Sequence, residues 1–386
     1  MKKINNIILT TFICILPLIV GVTTLLREPE LISVMEARKN NTFAKFLKTG
    51  INKNISKNFE NALADQMIFR DRFIELNAKL NYLAGVRVIN NVFVNVREGF
   101  LVSLPINLDN NSAYVNKKDL DYVTHTLYKK RIPFLYVNLP RKSDAYRNYI
   151  PDYYFKNNNL KYASNLLNDK NYIDLTERLL NSGRENYYKT DHHLNMNGIY
   201  LAYDGIIGHI NKNFFNIGLP RNKQDFEIHN YQAVFIGSDG RKATQSLVSK
   251  PDSIEIYNPK KNFDTDAYLY GSNKPVEIFQ RKQIKKSDTY NSDYGVYIGG
   301  DTNLCINNSD SLTNKKLLLV GNSFDNALVP LLSMHFSQVC HFDYRKTKNS
   351  MKGDIDNINP DLTILMYDYM AANEKDAYKI FKKLLE

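Results

Sequence analysis

Three residues of the sequence could form a relay for nucleophilic catalysis. Ser323 stands in the segment VGNSFDNAL, between an apolar run that predicts a strand and a second run that predicts a helix. Asp191 and His193 stand two residues apart in the segment TDHHLN. A serine hydroxyl needs a general base, and a carboxylate or similar group holds that base in one tautomer. We therefore predict Ser323 as nucleophile, His193 as base and Asp191 as orienting acid.

The residues before Ser323 suit an oxyanion site. A serine on a sharp strand-to-helix turn is exposed above the sheet edge, and the free N–H groups of the following helix can hold a developing negative charge. Gly321 permits the tight turn, and Asn322 adds a side-chain donor. Serine is also a good helix N-cap, so this segment alone does not distinguish catalysis from capping.

Neighbouring polar residues extend the candidate site. Asp191, His192 and His193 could bind a metal, but the sequence offers no clear third and fourth ligand elsewhere, so we predict neither a metal nor a cofactor. We interpret His192 as a loop residue that orders the turn or contacts substrate. Arg141 and Lys142 follow a predicted strand that ends at Leu139, where α/β sites gather, so both are candidate substrate contacts.

The elements around these residues follow an α/β pattern. Residues 132–140 are an almost unbroken apolar run, which is typical of a strand buried on both faces of a parallel sheet. Helices are predicted at residues 119–130 and 160–167 and from Glu374 onward. We expect a parallel-sheet α/β domain over residues 87–386, with a β-rich insertion at about residues 211–314, where short alternating runs replace the helical pattern.

The N-terminus predicts a membrane anchor. Residues 7–26 carry no charge, and about 20 such residues are enough to span a bilayer. Lys2 and Lys3 precede this stretch. The positive-inside preference leaves residues 1–6 in the cytoplasm and sends the remainder across the cytoplasmic membrane. A cleaved signal peptide is the alternative, but the stretch is long for one and no A-x-A-like site follows it. Residues 33–86 then predict a helical stalk or cap.

Charge and cysteine content restrict the class of protein. The formal charge is +11, but the basic residues are scattered and accompany no nucleic-acid-binding motif, so we predict no nucleic-acid partner. Cys14, Cys305 and Cys340 have no CxxC spacing, which argues against a zinc site or a redox pair. Cys305 and Cys340 could form a disulfide outside the cell, but we favour two buried free thiols.

Several segments together resemble the DHHW family of bacterial cell-envelope proteins, which is similar to the alginate O-acetylation proteins of the AlgJ and AlgX type. These segments are TDHHLNMNG, LLLVGNSFDNALVPLLSMHFSQVCHFDYR, FENALADQMIFRDRFIELN, VREGFLVSL, YVNLPRKSDAY and GVYIGGDTNLCINN. The resemblance implies an SGNH-hydrolase-like fold in which the D-x-H segment precedes the serine, as if circularly permuted. It also implies the same three catalytic residues. Two positions depart from the family pattern, Leu194 in place of Trp and Asn322 in place of Asp.

The resemblance implies transfer or hydrolysis of an O-acetyl group on an envelope polysaccharide or exopolysaccharide. A transferase outside the membrane would need a polytopic partner that hands the acetyl group across the bilayer, because acetyl-CoA is cytosolic. An acetyl esterase would use the same three residues. A polysaccharide-binding or assembly protein that does little chemistry is the third possibility. Catalysis by the three residues requires Ser323 and His193 to lie within about 2.6–3.2 Å of each other. A protein that only binds polysaccharide has no such requirement.

Overall fold

The computed structural model describes residues 10–36, 38–48, 54–96, 98–105, 122–155, 170–182, 184–285, 288–290, 292–343, 345–346 and 351–368. The chain divides into two compact units, one of residues 1–90 and 240–249 and the other of residues 91–239 and 250–386. The helices predicted at residues 160–167 and from Glu374 lie outside the described residues, as do residues 1–6 and the first three residues of the predicted anchor.

The smaller unit is mainly helical. Its helices are α1 (Leu16–Leu26), α2 (Phe43–Lys48), α3 (Ile55–Gln66) and α4 (Arg70–Leu83), and its short strands are β1 (Ile32–Ser33), β2 (Arg38–Lys39) and β3 (Val88–Ile89). Buried Asp65, near the end of α3, accepts two hydrogen bonds from the Arg38 guanidinium at 2.9 and 2.6 Å. It also accepts the backbone and side-chain N–H groups of Asn41, both at 2.8 Å. One carboxylate thus ties α3 to the hairpin of β1 and β2.

The predicted membrane-spanning helix is not supported. The described part of residues 7–26 contains a π-helical turn at Thr11–Ile15 followed by α1. Within the described ranges, we find no helix with both the length and the apolar character needed to cross a bilayer.

The larger unit is built on a seven-stranded sheet, which confirms the predicted α/β fold with a parallel core. The strands lie in the order β10-β11-β13-β12-β14-β6-β7. Strands β13, β12, β14, β6 and β7 run parallel to one another, whereas β11 pairs antiparallel with both β13 and the edge strand β10. The bounds are β6 (Phe134–Leu139), β7 (Tyr172–Asp174), β10 (Thr265–Leu269), β11 (Leu304–Asn308), β12 (Lys316–Gly321), β13 (Gln338–Asp343) and β14 (Leu362–Asp368).

Helices cover both faces of this sheet. Alternate side chains of β12 enter different cores, with Leu317 and Leu319 on one face and Leu318 and Val320 on the other, as expected for a fully buried parallel strand. The helices of this unit are α5 (residues 122–129), α6 (Lys142–Ala145), α7 (Thr176–Asn181), α8 (Met196–Asn213), α10 (Val329–Ser333) and α11 (Lys352–Ile358), and α9 (Ser238–Ala243) begins within it. Residues of α8 lie in the first core, and residues of α5 and α11 lie in the second.

The region predicted as a β-rich insertion is only partly separate from the sheet. Strands β8 (Phe226–Phe235) and β9 (Asp252–Pro259) form an antiparallel pair of their own. By contrast, β10 and β11 extend the main sheet, because β11 pairs with β13 from Leu304 opposite His341 to Asn307 opposite Gln338. Two further short strands, β4 (Val92–Phe93) and β5 (Val102–Ser103), pair with each other.

A disulfide joins Cys305 and Cys340, so the prediction of two free thiols is wrong. The two cysteines lie directly opposite each other on antiparallel β11 and β13, with 4.0 Å between their Cα atoms. The sequence could not reveal this pairing, because β12 lies between the two strands in the chain.

A buried histidine should make the stability of this unit depend on pH. His335 Nδ1 donates a hydrogen bond to the carbonyl oxygen of Ile217, 2.7 Å away. The Nε2 atom of the neutral ring is then an acceptor, and it receives the hydrogen bond of the Tyr203 hydroxyl at 2.6 Å. Burial lowers the pKa of His335 to about 4. As the pH falls, the unfolded chain therefore binds a proton at this histidine before the folded chain does. The resulting contribution to the free energy of unfolding is complete above pH ~6.5 and is lost as the pH falls toward 4.

Up to about 3 kcal/mol of unfolding free energy should depend on this one histidine. Urea unfolding at pH 7 and pH 4.5 should show a steeper acid loss for the wild type than for His335→Gln, which cannot titrate. Equal pH dependence of the two proteins would contradict this assignment.

Candidate active site

The turn that carries Ser323 lies at the carboxyl edge of the parallel strands, where α/β folds place their sites. Strand β12 ends at Gly321, and residues 323–328 form turns before α10 begins at Val329. The predicted order of strand, turn and helix is present, but the helix begins six residues after Ser323, so Ser323 does not cap it. The side chain of Asn322 accepts the Phe324 N–H at 3.0 Å, which favours a local turn, and Pro330 sits at the start of α10.

The segment that carries Asp191 and His193 is a loop that runs into α8, as predicted. Asn195 caps this helix, because its side-chain oxygen accepts the backbone N–H groups of Asn197 and Gly198 at 3.0 and 3.2 Å. Leu194, which replaces the family tryptophan, is buried in the core. Its side chain fills space within the protein and offers no stacking surface to a ligand.

The structure brings the three predicted relay residues together. His193 Nε2 lies 2.8 Å from Ser323 Oγ, and His193 Nδ1 lies 2.5 Å from Asp191 Oδ1. Asp191 and His193 are buried, and Ser323 is half-buried. The serine hydroxyl is therefore the member of the relay that a ligand can reach most directly.

The hydrogen bonds of Asp191 set the tautomer of His193. Burial alone would raise the pKa of the Asp191 carboxyl, but His193, His192 and the Ser238 N–H together lower that pKa well below its usual value. An ionised carboxylate only accepts hydrogen bonds, so His193 Nδ1 must carry a proton. In the neutral ring Nε2 is then an acceptor, and it faces the Ser323 hydroxyl, as a general base requires.

Asp191 itself is held by backbone donors. Its Oδ1 accepts the N–H of His193 at 2.9 Å, and its Oδ2 accepts the N–H of Ser238 at 2.7 Å. Gly237 gives the carboxylate room, because a Cβ at that position would lie 2.1 Å from Asp191 Cβ and 2.2 Å from Oδ2. No pattern in the sequence pointed to Gly237 or Ser238, which are 46 and 47 positions after Asp191 in the chain.

Replacing Gly237 by alanine should therefore displace Asp191 and lower acylation of Ser323 by ~10- to 100-fold, because small displacements of a positioned group cost about that much. The matched control is Gly208→Ala on α8, where an added Cβ meets nothing within 4 Å. Burst rates with p-nitrophenyl acetate, normalised to folded protein, would test this. Equal rates in the two variants would contradict the close contact.

The imidazole of His193 packs against the rings of Tyr294 and Phe324 as well as that of the adjacent His192. The Tyr294 ring stacks on it with 4.1 Å between centroids and an interplanar angle of 4°, and the Phe324 ring lies 5.0 Å away. Tyr294 is buried. This contact limits rotation of the base, and it could not be predicted because Tyr294 is about a hundred residues from His193.

The other predicted site residues have different positions. His192 is partly exposed, and its Nδ1 lies 2.5 Å from Ser238 Oγ, so this residue orders the loop and is open to solvent. Arg141 is half-buried at the start of α6.

Lys142 is buried, and its Nζ donates to Asp239 at 3.2 Å and to the carbonyl oxygens of Lys189 and Asp191 at 3.0 and 2.9 Å. The proposed substrate role of Lys142 is therefore wrong, since all three partners are protein groups that brace the loop.

The carboxylate of Asp252, a half-buried residue, anchors the start of the same loop. Asp252 accepts the backbone N–H groups of Lys189 and Thr190 at 2.8 and 2.7 Å and the Thr190 hydroxyl at 2.6 Å. Burial raises the pKa of Asp252, although these donors favour its ionised form. Asp252 and Lys142 together hold the backbone of the loop that contains Asp191.

Asp191, His192 and His193 could also present ligand atoms to a metal ion, since these atoms lie within 4.8 Å of one another. Two of the three are already engaged, Asp191 with His193 and His193 with Ser323. Metal binding would therefore compete with the serine relay, so the arrangement suits proton transfer better than coordination.

The comparisons with known proteins agree with this fold. The model of the DHHW protein family matches residues 106–341, more than half of the chain. No curated protein matches the sequence significantly. Bacillus cereus PatB1 superposes with a TM-score of 0.64 at 20% identity, over 75% of this chain and 99% of PatB1.

Two further solved structures are similar. A DHHW family protein from Eubacterium siraeum gives a TM-score of 0.62 at 19% identity, over 77% of this chain and 97% of that protein. The O-acetyltransferase domain of Pseudomonas putida AlgJ gives 0.44 at 14% identity, over 74% and 96%.

Proposed function

The chain belongs to the DHHW family, and from this premise we propose that it transfers an acetyl group to a hydroxyl of an envelope polysaccharide or exopolysaccharide. The single observation that supports the proposal is the hydrogen-bonded series from Asp191 through His193 to Ser323, with 2.8 Å between Nε2 and Oγ. That distance lies within the range of about 2.6–3.2 Å that proton transfer requires. A protein that only bound polysaccharide would not need this alignment.

In the proposed first half-reaction, Ser323 Oγ attacks the carbonyl carbon of an acetyl donor while its proton moves to His193 Nε2. Asp191 keeps the proton on Nδ1 and stabilises the imidazolium that forms. The tetrahedral intermediate then collapses, the donor's leaving group takes the proton from Nε2, and acetyl-Ser323 remains.

In the second half-reaction, a sugar hydroxyl attacks acetyl-Ser323 and gives its proton to His193 Nε2. Collapse of the second intermediate releases the sugar ester, and the proton returns to Ser323 Oγ. Every atom that moves is supplied by donor, acceptor or Ser323, so the proposed steps balance as written.

The negative oxygen of each intermediate needs hydrogen-bond donors close to Ser323, and the following helix begins only at Val329. We propose the backbone N–H of Ser323 and the side-chain Nδ2 of Asn322 for this role. The Oδ1 atom of Asn322 accepts the Phe324 N–H, and this hydrogen bond holds the side-chain amide in the turn. The Nδ2 atom of the same amide is the donor proposed for the oxyanion.

Location and partner are part of the same proposal. The lysines and the uncharged stretch up to Leu26 suggest a domain outside the cytoplasm, held at the cytoplasmic membrane. The disulfide between Cys305 and Cys340 supports this location, because disulfides persist in oxidising compartments. A polytopic membrane protein would then supply the acetyl group.

An acetyl esterase is the alternative, since water can attack the same acyl-enzyme. Full-length protein incubated with p-nitrophenyl acetate and an oligosaccharide, followed by mass spectrometry of the sugar, separates the possibilities. Acetylated sugar that requires Ser323 supports the transferase. Free acetate without sugar ester identifies an esterase. An absence of acylation by the folded wild type overturns both, and it leaves the polysaccharide-binding function.

A further inference from the structure

A second carboxylate–imidazole pair lies close to the turn that carries Ser323. His341 Nε2 lies 2.9 Å from Asp325 Oδ1, and both residues are fully buried. Asp325 follows Ser323 by two residues, and His341 belongs to β13, opposite Leu319 of β12. The pair therefore ties the turn after β12 to the neighbouring strand.

The hydrogen-bond partners of His341 indicate its charge. Its Nδ1 lies 3.1 Å from the carbonyl oxygen of Thr302, and its Nε2 faces the Asp325 carboxylate. Both partners accept hydrogen bonds, and a neutral imidazole has only one N–H to donate. When Asp325 is ionised, satisfying both partners requires the imidazolium form of His341. Burial lowers the pKa of His341, but the charge of Asp325 and its hydrogen bond, helped by Asp343, raise that pKa above its ordinary value.

Other charged groups near the pair are themselves paired. Asp343, opposite Gly321 in the sheet, binds the Arg345 guanidinium at 2.6 Å, and this guanidinium also reaches Asp301 at 2.7 Å. Burial raises the pKa of the Asp325 carboxyl, although the charge of His341 opposes this. Asp325 and His341 together carry no net charge whichever of them holds the shared proton, which suits a fully buried site.

Asp325 fixes the nucleophile turn at several points. Its N–H donates to the carbonyl oxygen of Asn322 at 3.2 Å, and its own carbonyl accepts the N–H groups of Leu328 and Val329 at 2.8 and 3.2 Å. Its carboxylate packs on the backbone of Gly321, where an added Cβ would lie 1.7 Å from Oδ2. One side chain thus touches the residue two positions before Ser323, while its backbone closes the turn that follows.

We infer that the Asp325–His341 pair positions Ser323, holding its turn so that Oγ stays within hydrogen-bonding distance of His193. Neither residue is placed to contact substrate, so both are positioning residues. The inference rests on the proposed function for its effect on rate, but it makes a separate claim about the order of the turn.

The test compares Asp325→Ala with Asp325→Asn in the full-length protein. Alanine removes the partner of His341, and we expect acylation by p-nitrophenyl acetate, per folded protein, to fall ~10- to 100-fold with KM nearly unchanged. Asparagine can donate to the neutral His341 ring at Nε2 while Nδ1 still donates to Thr302, so it should recover most of the rate. Folded Asp325→Ala that acylates at the wild-type rate would overturn the inference.

Hydrogen exchange keeps this test independent of activity. Amides of residues 322–329 should exchange faster in Asp325→Ala than in the wild type, and Asp325→Asn should restore their protection. If the wild type fails to acylate but this exchange pattern holds, the proposed function fails and the positioning of the turn stands. Unchanged exchange would overturn the positioning. If Asp325→Ala does not fold, His341→Asn takes its place, with the same expected loss of rate and protection.

Discussion

Replacing Ser323 by alanine is expected to abolish the acyl-enzyme and to lower ester turnover by at least ~10³-fold, the loss seen when a hydroxyl nucleophile is removed from such a relay. The reason is direct, because Ser323 Oγ is the atom that His193 Nε2 faces at 2.8 Å. The fold should survive, since the side chain is half-buried and alanine leaves the backbone of the turn unchanged. The measurement is the burst and steady-state release of p-nitrophenol.

The control for this variant is Ser309→Ala. Ser309 is exposed, and its hydroxyl bonds Asp264 rather than any residue of the relay. It should keep the full burst. Equal losses in both variants would point to a general effect on folding, and an undiminished burst in Ser323→Ala would place the nucleophile elsewhere.

The second large effect is expected for Asp191→Asn, a loss of ~10³- to 10⁴-fold in kcat. The two oxygens of Asp191 accept three N–H groups, two from His193 and one from Ser238. An amide has a single acceptor oxygen, so either the relay tautomer or a backbone hydrogen bond is lost whichever way it turns. The charge that stabilises the imidazolium is lost in both orientations.

The pH dependence of kcat in the wild type adds a second readout of the role of Asp191. The carboxyl of Asp191 has a lowered pKa, so it is ionised throughout the neutral range, and its own titration should not limit the wild type there. The matched control is Asp266→Asn, an exposed aspartate of β10. If Asp191→Asn kept wild-type kcat, Asp191 would be a structural residue of the loop.

The sequence identified the relay because its members carry local signals. Asp191 and His193 lie two residues apart, and Ser323 follows a short apolar run that is typical of a buried strand. The buried strands and the parallel sheet were predicted for the same reason, because a strand buried on both faces lacks polar positions. These features depend on residues that are neighbours in the chain.

The supporting contacts were not predicted because they join distant segments. Tyr294, Gly237 and Lys142 reach the Asp191–His193 loop from separate parts of the fold, and no sequence pattern links any of them to that loop. Lys142 looked like a surface cation at a strand end, but burial beside Asp239 gives it a structural role.

Pairing between strands was also hidden from the sequence. The Cys305–Cys340 disulfide depends on β11 and β13 being neighbours, which the intervening β12 conceals. The point at which the helix after Ser323 begins was hidden for a local reason. The Asn322 side chain captures the Phe324 N–H and favours a turn, so α10 begins only at Val329.

The most direct test of the central claim is to locate the acyl group. Full-length protein is mixed with p-nitrophenyl acetate, quenched in acid within the burst and digested, and the acetylated peptide is sequenced by mass spectrometry, beside His193→Ala. The account predicts one acetyl group on Ser323 in the wild type and almost none in the variant. An acetyl group on another residue, or equal labelling of Ser323 without His193, would contradict it.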